Sequence, residues 1–530
     1  MKYAILCTVC LGTVLSSYVS SCTNIALPNI MAALNFDMNS IVWVSLSYLL
    51  PYGSILPLTG KLGDQFGAKK MYLTGLTTFT LGSLLCGMAA NATTMLIYRM
   101  IQGIGAGILL PNAMIIVVET FEPQERGQAL GLWSAMAAAG SAMGPTIGGY
   151  LIESINWRSI FFSVVPFCII SIVLAGMMIP ASKRNLDAKA DFWGASLLTI
   201  SLSALLIALN KGQVEGWTSL YITLLLYLSF AAFVTFIMAE LRVKHPMVEL
   251  SLFHNVNFAV ANILGFISFL TLYGAMFLLP FFLKSILHYS SISAGVMLLP
   301  LTVTMIISAP LGGRIADKFG SRIPAFLGIM LIAIAIYLLS SINASYSTRD
   351  FFIRLVLFGV GLGFTMSPLS NCAISALPKD KVGMGSGILN LFKIIGGSMG
   401  VVFVETILSN SQVRHYQILS EYLNTSNQAP QEIFKILQGL WGNKGMNVEM
   451  LASAAHGWFT GEGFLVPQRY AAFKAVLAEI VHQQATILSF EDVFYLLALL
   501  CFCSSFLALF IKNNKQSKKP AFLDTKNAAK

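Results

Sequence analysis

Apolar runs long enough to cross a lipid bilayer recur along almost the whole chain, and no other feature restricts its fold so tightly. Crossing ~30 Å of hydrocarbon at about 1.5 Å per residue takes ~20 apolar residues. Runs of that kind lie at roughly 4–31, 38–59, 69–90, 93–118, 127–152, 158–180, 192–210, 219–241, 257–283, 291–311, 323–342, 350–375, 383–408 and 487–511. Lipid offers no hydrogen bonds, so each run must satisfy its own backbone as a helix. Composition points the same way. Only 11% of the 530 residues are charged and 56% are hydrophobic, whereas a soluble chain carries roughly 25% charged residues. The expected fold class is an all-α integral membrane protein with about fourteen transmembrane helices.

The formal charge of +10 does not indicate nucleic acid. The basic residues sit in short loops and in the tail "IKNNKQSKKPAFLDTKNAAK", and no soluble domain is present to carry a basic, aromatic face. Their placement sets orientation instead. The loops "KLGDQFGAKK" (61–70), "KRNLDAK" (183–189), "RVKHP" (242–246), "RIADKFGSR" (314–322) and "PKDK" (378–381) fall on one side. The opposite short loops hold only Arg158, Lys211, Lys284 and Arg349. Cytoplasmic loops carry the excess of Lys and Arg, so both termini are expected in the cytoplasm, in a multi-pass protein of a bacterial inner membrane. The eight cysteines all lie in apolar segments and lack the spacing of a metal site or a disulfide framework. No phosphate-cradling glycine loop ending in Lys-Ser/Thr occurs. No metal, cofactor or ATP drive is expected, and intramembrane His/Asp or Cys/His clusters for an enzyme are absent.

Residues 15–28, "LSSYVSSCTNIALP", pose an alternative. Val19-Ser20-Ser21-Cys22 resembles a lipoprotein cleavage box. Cleavage there would remove most of the first span and upset the match between loop charge and sidedness. A signal peptide also needs an apolar core of only about 7–15 residues, whereas the apolar character here continues through "NIALPNIMAAL". The stretch reads as the second half of helix one.

"GKLGDQFGAKK" (60–70) is echoed by "GRIADKFGSRI" (313–323), with Asp64 matching Asp317. "RMIQGIGAGILLP" (99–111) returns more loosely as "RLVLFGVGLGFTMSP" (354–368). Such repeats indicate a transporter with its site between two related halves. The expected domains are a six-helix half at 1–180, two inserted helices with their loops at 181–256, a second six-helix half at 257–511 and a basic cytoplasmic tail at 512–530. Within the second half, 409–486 is a polar extracytoplasmic loop with helix-like stretches near 430–440 and 470–484. In the repeated loop, Gly60, Asp64, Gly67, Lys69 and Lys70, with Asp317 and Gly320 in its echo, suit a latch that breaks when the halves rock. Asp64 can cap a neighbouring helix N-terminus or pair with a base such as Arg126.

Charges inside spans are the other candidates, because burying one in lipid is costly and marks function. Arg99 lies mid-helix, with Gln102 three residues on and so on the same face. Lys393 is the second such cation. Glu405 lies twelve residues further along that span and can bind a proton near neutral pH if desolvated. The stripe Gly140, Gly144, Gly148 and Gly149, with Pro145 lacking a backbone donor, should give a bent, tightly packed helix. Tyr48, Tyr273, Asn24, Gln102 and Asn390 are the residues chosen as candidates for lining a substrate cavity.

These motifs resemble the major facilitator superfamily, and within it the fourteen-helix drug:proton antiporter branch. "GKLGDQFGAKK" is similar to the loop signature between helices two and three. "RMIQGIGAG" is similar to the helix-four motif, "GSAMGPTIGG" (140–149) to the antiporter motif of helix five, "TNIALP" (23–28) to the end of the helix-one motif and "SGILNLFKIIGGSMG" (386–400) to the helix-13 pattern. The likeness covers nearly the whole chain, least of all 409–486. It implies a secondary exporter of amphipathic or cationic drug-like molecules, driven by a proton gradient with rocker-switch alternating access. It assigns Arg99 to proton coupling and ties the Gly140–Gly149 motif to antiport. Val19 departs from the pattern, standing where relatives often carry an Asp. Either coupling rests on groups such as Glu405, or the protein is not a simple proton antiporter. Export of a lipid, siderophore or metabolite and a non-transporting sensor or scaffold are the rival readings. The expected partners are a small-molecule substrate and membrane lipid, with no nucleic acid; the long outer loop suggests, by analogy, a periplasmic adaptor protein.

Overall fold

The computed structural model describes residues 1–36, 41–181, 192–243, 246, 248–287, 289, 291–341, 348–378, 381–424 and 466–512. The segment 183–189, the stretch near 430–440 and the tail from 513 lie outside the described residues.

Every element among the described residues is helical. The first half comprises α1 (Lys2–Leu34), α2 (Val42–Phe66), α3 (Ala68–Gly87), α4 (Ala92–Thr120) and α5 (Arg126–Met143). A π-helical turn (Gly144–Gly148) and α6 (Gly149–Ser154) complete the fifth rod, and α7 (Ser159–Phe162) with α8 (Val164–Met178) make the sixth. The next pair is α9 (Phe192–Glu215) and α10 (Leu220–Glu240). Then follow α11 (Val256–Ser285), α12 (Ser291–Phe319), α13 (Arg322–Leu339), α14 (Thr348–Ser375), α15 (Val382–Asn424) and α16 (Val466–Ser505). Among the described residues ten helices are long and apolar enough to cross a membrane by themselves. Of the other four rods, α9 is apolar over the shorter stretch Trp193–Leu209, and α2, α3 and α5 to α6 carry more polar or small residues.

Burial separates core from periphery. The apolar stretch of α4 is 83% buried and that of α10 only 22%. The bare face of α10 presents Leu224, Tyr227, Phe230 and Phe233, an apolar surface that only lipid or a partner can cover. The pair holds together through Ser201 Oγ donating to Ser229 O at 2.9 Å. It docks on α2 where Leu206 of α9 buries against Leu46 and Leu50, with Trp43 beside them.

Hydroxyls inside the bundle are satisfied locally, as in Thr13 Oγ1 to Val9 O at 3.1 Å and Thr23 Oγ1 to Val19 O at 2.7 Å. This back-bonding to the preceding turn lets a polar group sit in an apolar interior. The start of α4 is set by Asn91, whose side chain accepts from Thr94 N while Thr94 Oγ1 accepts from Asn91 N. That reciprocal cap satisfies two orphan donors.

Two expectations need correction. The spans read as ending at 408 and starting at 487 are parts of longer helices, since α15 continues to Asn424 and α16 already begins at Val466. Gln412 donates to Thr486 Oγ1 at 2.8 Å, and Asp492 accepts from Arg414 at 2.8 Å and pairs with His415 at 2.9 Å. Such polar pairing sustains a helix beyond the apolar run, so hydropathy located the apolar boundary and not the helix end.

Candidate functional site

The two loop repeats have one geometry. Gly67 and Gly320 both adopt left-handed backbone, φ 94° and 87°, which glycine enters without steric penalty. Each tight turn leaves an aspartate three residues earlier facing the other half. Asp64 at the end of α2 accepts from Gly383 N at 3.2 Å and Met384 N at 3.3 Å, capping the N-terminus of α15 across 319 residues of sequence. Asp317 at the end of α12 accepts from Gly127 N and Gln128 N, both at 3.1 Å, capping α5. Asn371 Nδ2 adds a third donor to Asp317 at 3.1 Å. A carboxylate over free amide groups at a positive helix end is a favourable, charge-assisted contact. Glycine makes both approaches feasible. A Cβ on Gly60 would lie 2.2 Å from Gly383 O, and one on Gly313 2.1 Å from Gly127 O. Of the two options for Asp64, helix capping is the contact seen; Arg126 Nε donates instead to Phe121 O at 3.2 Å. Lys69 reaches the end of α8 at Gly176 O, 2.8 Å away, and Lys70 is exposed.

Arg99 is 1% exposed. Its Nε donates to Val44 O at 3.0 Å, Nη1 donates to Gln102 Oε1 at 2.5 Å, and the guanidinium lies 4.5 Å from the Tyr48 ring centroid. Gln102 passes its amide on to Ser83 Oγ at 2.7 Å, and the Tyr48 hydroxyl meets Ser16 at 3.3 Å. Helices α1 to α4 are thereby joined around one cation, and none of these partners is a carboxylate. Gln102, fully buried in this network, does not face open space.

The central aromatic ladder lies between Arg99 and Lys393. Tyr48 stacks on Tyr52 with centroids 5.7 Å apart, and Phe269 on Tyr273 at 6.0 Å. Tyr273 is 47% exposed and lies beside α15, the helix on which a Cβ at Gly53 of α2 would meet Ile394 at 3.5 Å, so it stands where the two halves approach each other. Lys393, 6% exposed, donates to Ser370 Oγ at 3.3 Å and sits 5.5 Å from the Phe269 centroid. One turn along α15, a Cβ on Gly397 would meet the Tyr273 ring at 3.1 Å, so positions 393 and 397 face 269 and 273 in register. Asn390 is buried and donates to Ser386 O at 3.0 Å, whereas Asn24 is exposed and accepts from Ser45 at 3.0 Å. Glu405, partly exposed on α15, forms no ion pair among the described residues.

The Gly140–Gly149 motif folds as the end of α5 and the π-turn that follows. Its glycines receive α1. A Cβ would lie 2.4 Å from Val14 O at Gly140, 2.5 Å from Ser21 at Gly144 and 2.6 Å from Cys22 Sγ at Gly148. Gly149 meets nothing within 4 Å. Pro145 lies in the π-turn, whose widened bonding pattern accommodates a residue without an N–H. Cys22 is buried and donates to Gly144 O at 3.4 Å, and Val19 is wholly buried. Sequence reasoning missed Asn371 and Ser370, single polar residues with no local pattern around them. The i,i+4 spacing of Tyr48/Tyr52 and Phe269/Tyr273 was the available signal for the ladder.

Two helical halves joined by reciprocal caps, with buried cations held against aromatic rings in each half, define a multi-pass membrane transporter and not an enzyme. The chain belongs to the Major Facilitator Superfamily, whose profile matches residues 9–401. Among its relatives is the multidrug transporter protein MdtP of Bacillus subtilis (strain 168), 28% identical over 498 residues, covering 94% of this chain and 90% of that one. The riboflavin transporter RibZ of Clostridioides difficile (strain 630) is 30% identical over 432 residues, covering 81% and 93%. The multidrug export protein EmrB of Haemophilus influenzae is 28% identical over 428 residues, covering 80% and 84%. In fold the chain matches the human organic anion transporter MFSD10 (TETRAN), with a TM-score of 0.58 at 14% identity, covering 94% of this chain and 99% of that one.

Proposed function

We propose that this protein exports amphipathic drug-like molecules across a bacterial inner membrane, with both termini in the cytoplasm, in exchange for protons. The observation that carries the reading is the pair of reciprocal caps. Asp64 and Asp317 each hold a helix N-terminus of the opposite half, and these caps, with the hydrogen bond from Ser367 Oγ to Gly127 O, must part for that end to open. Rocking about the central space then alternates access, with the multidrug relatives supporting the kind of cargo. A metabolite is the second reading, favoured by the relative named as a riboflavin transporter.

Coupling is assigned to Glu405, with Lys393 as the second titratable group. Arg99 stays charged at any physiological pH, so its part is to hold Tyr48 and to supply a fixed positive field. Val19 offers no carboxylate, and Glu405 takes that duty further along the transport path. Of the expected latch set, Gly60, Asp64, Gly67, Asp317 and Gly320 govern opening, whereas Lys69 and Arg126 bond within their own half and Lys70 is exposed. Gly140, Gly144 and Gly148 seal α5 and its π-turn against α1. The test is flux in proteoliposomes with an imposed pH gradient. Glu405→Gln should abolish the gradient dependence while leaving equilibrium exchange, and Arg99→Ala should lower both. Unchanged proton-driven flux in both variants would defeat the assignment.

A further inference from the structure

The ladder between the halves has a sign. Its rings are the pair Tyr48 and Tyr52 on one half and the pair Phe269 and Tyr273 on the other, and a buried cation is held against one ring of each pair: Arg99 over Tyr48 at 4.5 Å and Lys393 over Phe269 at 5.5 Å. Neither cation has a carboxylate partner among the described residues. Arg99 is nonetheless well satisfied, by the Val44 carbonyl, Gln102 and the ring. Lys393 is not. Its ammonium has three protons to donate and, among the described residues, one hydrogen bond, to a hydroxyl at 3.3 Å. Buried charges are normally paired, so Lys393 is a cation still short of an anion. It projects from α15 one turn from Gly397, against which the half-exposed Tyr273 ring lies.

An aromatic box alone would favour a cationic guest. Here Tyr48 and Phe269 already face the protein's own cations, and a guest cation at the neighbouring Tyr52 and Tyr273 would meet those like charges in a medium that screens them poorly. We infer that the cargo of this site is a planar aromatic molecule bearing one acidic group, its ring stacked between Tyr52 and Tyr273 and its anion directed at Lys393. The inference rests on the transport reading of the same space and replaces the cationic cargo expected from sequence resemblance. The flat ring is recognised by the tyrosines and the charge by the lysine, so the two contributions separate experimentally.

The test is equilibrium binding to the full chain in phosphatidylcholine nanodiscs, using anthracene-9-carboxylate, (anthracen-9-ylmethyl)trimethylammonium and decanoate. The aromatic carboxylate should bind at least tenfold tighter than both the ammonium isostere and the aliphatic carboxylate. Lys393→Gln should weaken the aromatic carboxylate at least tenfold and bring the two anthracenes to parity, while Lys393→Arg keeps the preference. Tyr273→Ala should weaken both anthracenes by a similar factor and leave their ratio unchanged. Equal or tighter binding of the ammonium, a ratio untouched by Lys393→Gln, decanoate matching the aromatic acid, or no binding of either anthracene would each overturn the inference. Should Lys393→Gln not fold, the wild-type ratio still decides the sign. The parent reading fails separately. Intact carboxylate preference without gradient-driven flux would remove export and leave the site, whereas gradient-driven flux of the ammonium with no carboxylate preference would do the reverse.

Discussion

Replacing Asp317 with asparagine tests the latch at one atom. The carboxylate takes Gly127 N and Asn371 Nδ2 on Oδ1 and Gln128 N on Oδ2. An asparagine keeps its oxygen on one side only. Whichever way the amide turns, its NH2 group faces a backbone N–H, so at least one acceptor contact becomes donor against donor. A hydrogen bond to a charged group contributes about 1.5–3 kcal/mol, and the charge at a helix N-terminus a further 0.3–1 kcal/mol or so. Partial exposure of Asp317 reduces the sum to roughly 2 kcal/mol. At about 1.4 kcal/mol per decade, that shifts the latched-to-open ratio about 30-fold. Spin labels attached through non-canonical residues at the exposed positions Gln124 and Lys318 leave the native cysteines untouched. Pulsed electron–electron distance measurement should give one short distance in the wild type and a second, longer population in Asp317→Asn. An identical distance distribution in the two proteins would refute the claim that Asp317 holds the halves together.

Two further outcomes follow from the same geometry. Gly140→Ala should destabilise by about 1–3 kcal/mol through overpacking, because its Cβ would lie 2.4 Å from Val14 O. Gly149→Ala, with nothing within 4 Å, should be neutral or slightly stabilising in a helix; thermal melts in detergent compare the two. Outside the spans, the hydrogen bond from Lys381 holds the Glu249 carboxyl below the usual carboxylate range. A depressed folded-state value means stabilisation that is present above the unfolded pKa of about 4.3 and is lost as pH falls through the lower folded value. Glu249→Gln should therefore melt below the wild type at pH 7, by an amount worth about 0.2–1 kcal/mol, and the gap should close once the pH has fallen below the folded-state value. A gap that persists there would place the effect elsewhere.

Part of the geometry was legible before any coordinates. The loop echo located both capping aspartates and both turn glycines, because a left-handed turn and an acid three residues before it leave a local mark. Arg99 and Lys393 stood out because charge in an apolar span is conspicuous. What each charge meets was not legible. Asp64 was readable as a cap or as half of an ion pair, and Gln102 as a cavity residue, since neither alternative changes the spacing. Cys22 and Val19 show the same limit. One looked like a lipidation site and the other like a missing acid, whereas α1 presses Cys22 onto the π-turn at Gly144 and Gly148.

The sequence by itself determined the helices, their membrane setting, the twofold repeat and the positions of the intramembrane charges. These depend on composition and on periods of a few residues, where lipid and backbone hydrogen bonding leave no alternative to a helix. The tertiary structure alone decided that each loop aspartate caps a helix of the opposite half, across 319 residues for Asp64, and that α15 and α16 extend past their apolar runs. It alone decided that each buried cation lies against one ring of an aromatic pair. Those facts depend on which helix faces meet, and interhelical contacts in a bundle are set by the fit of glycines and rings that are distant in the chain.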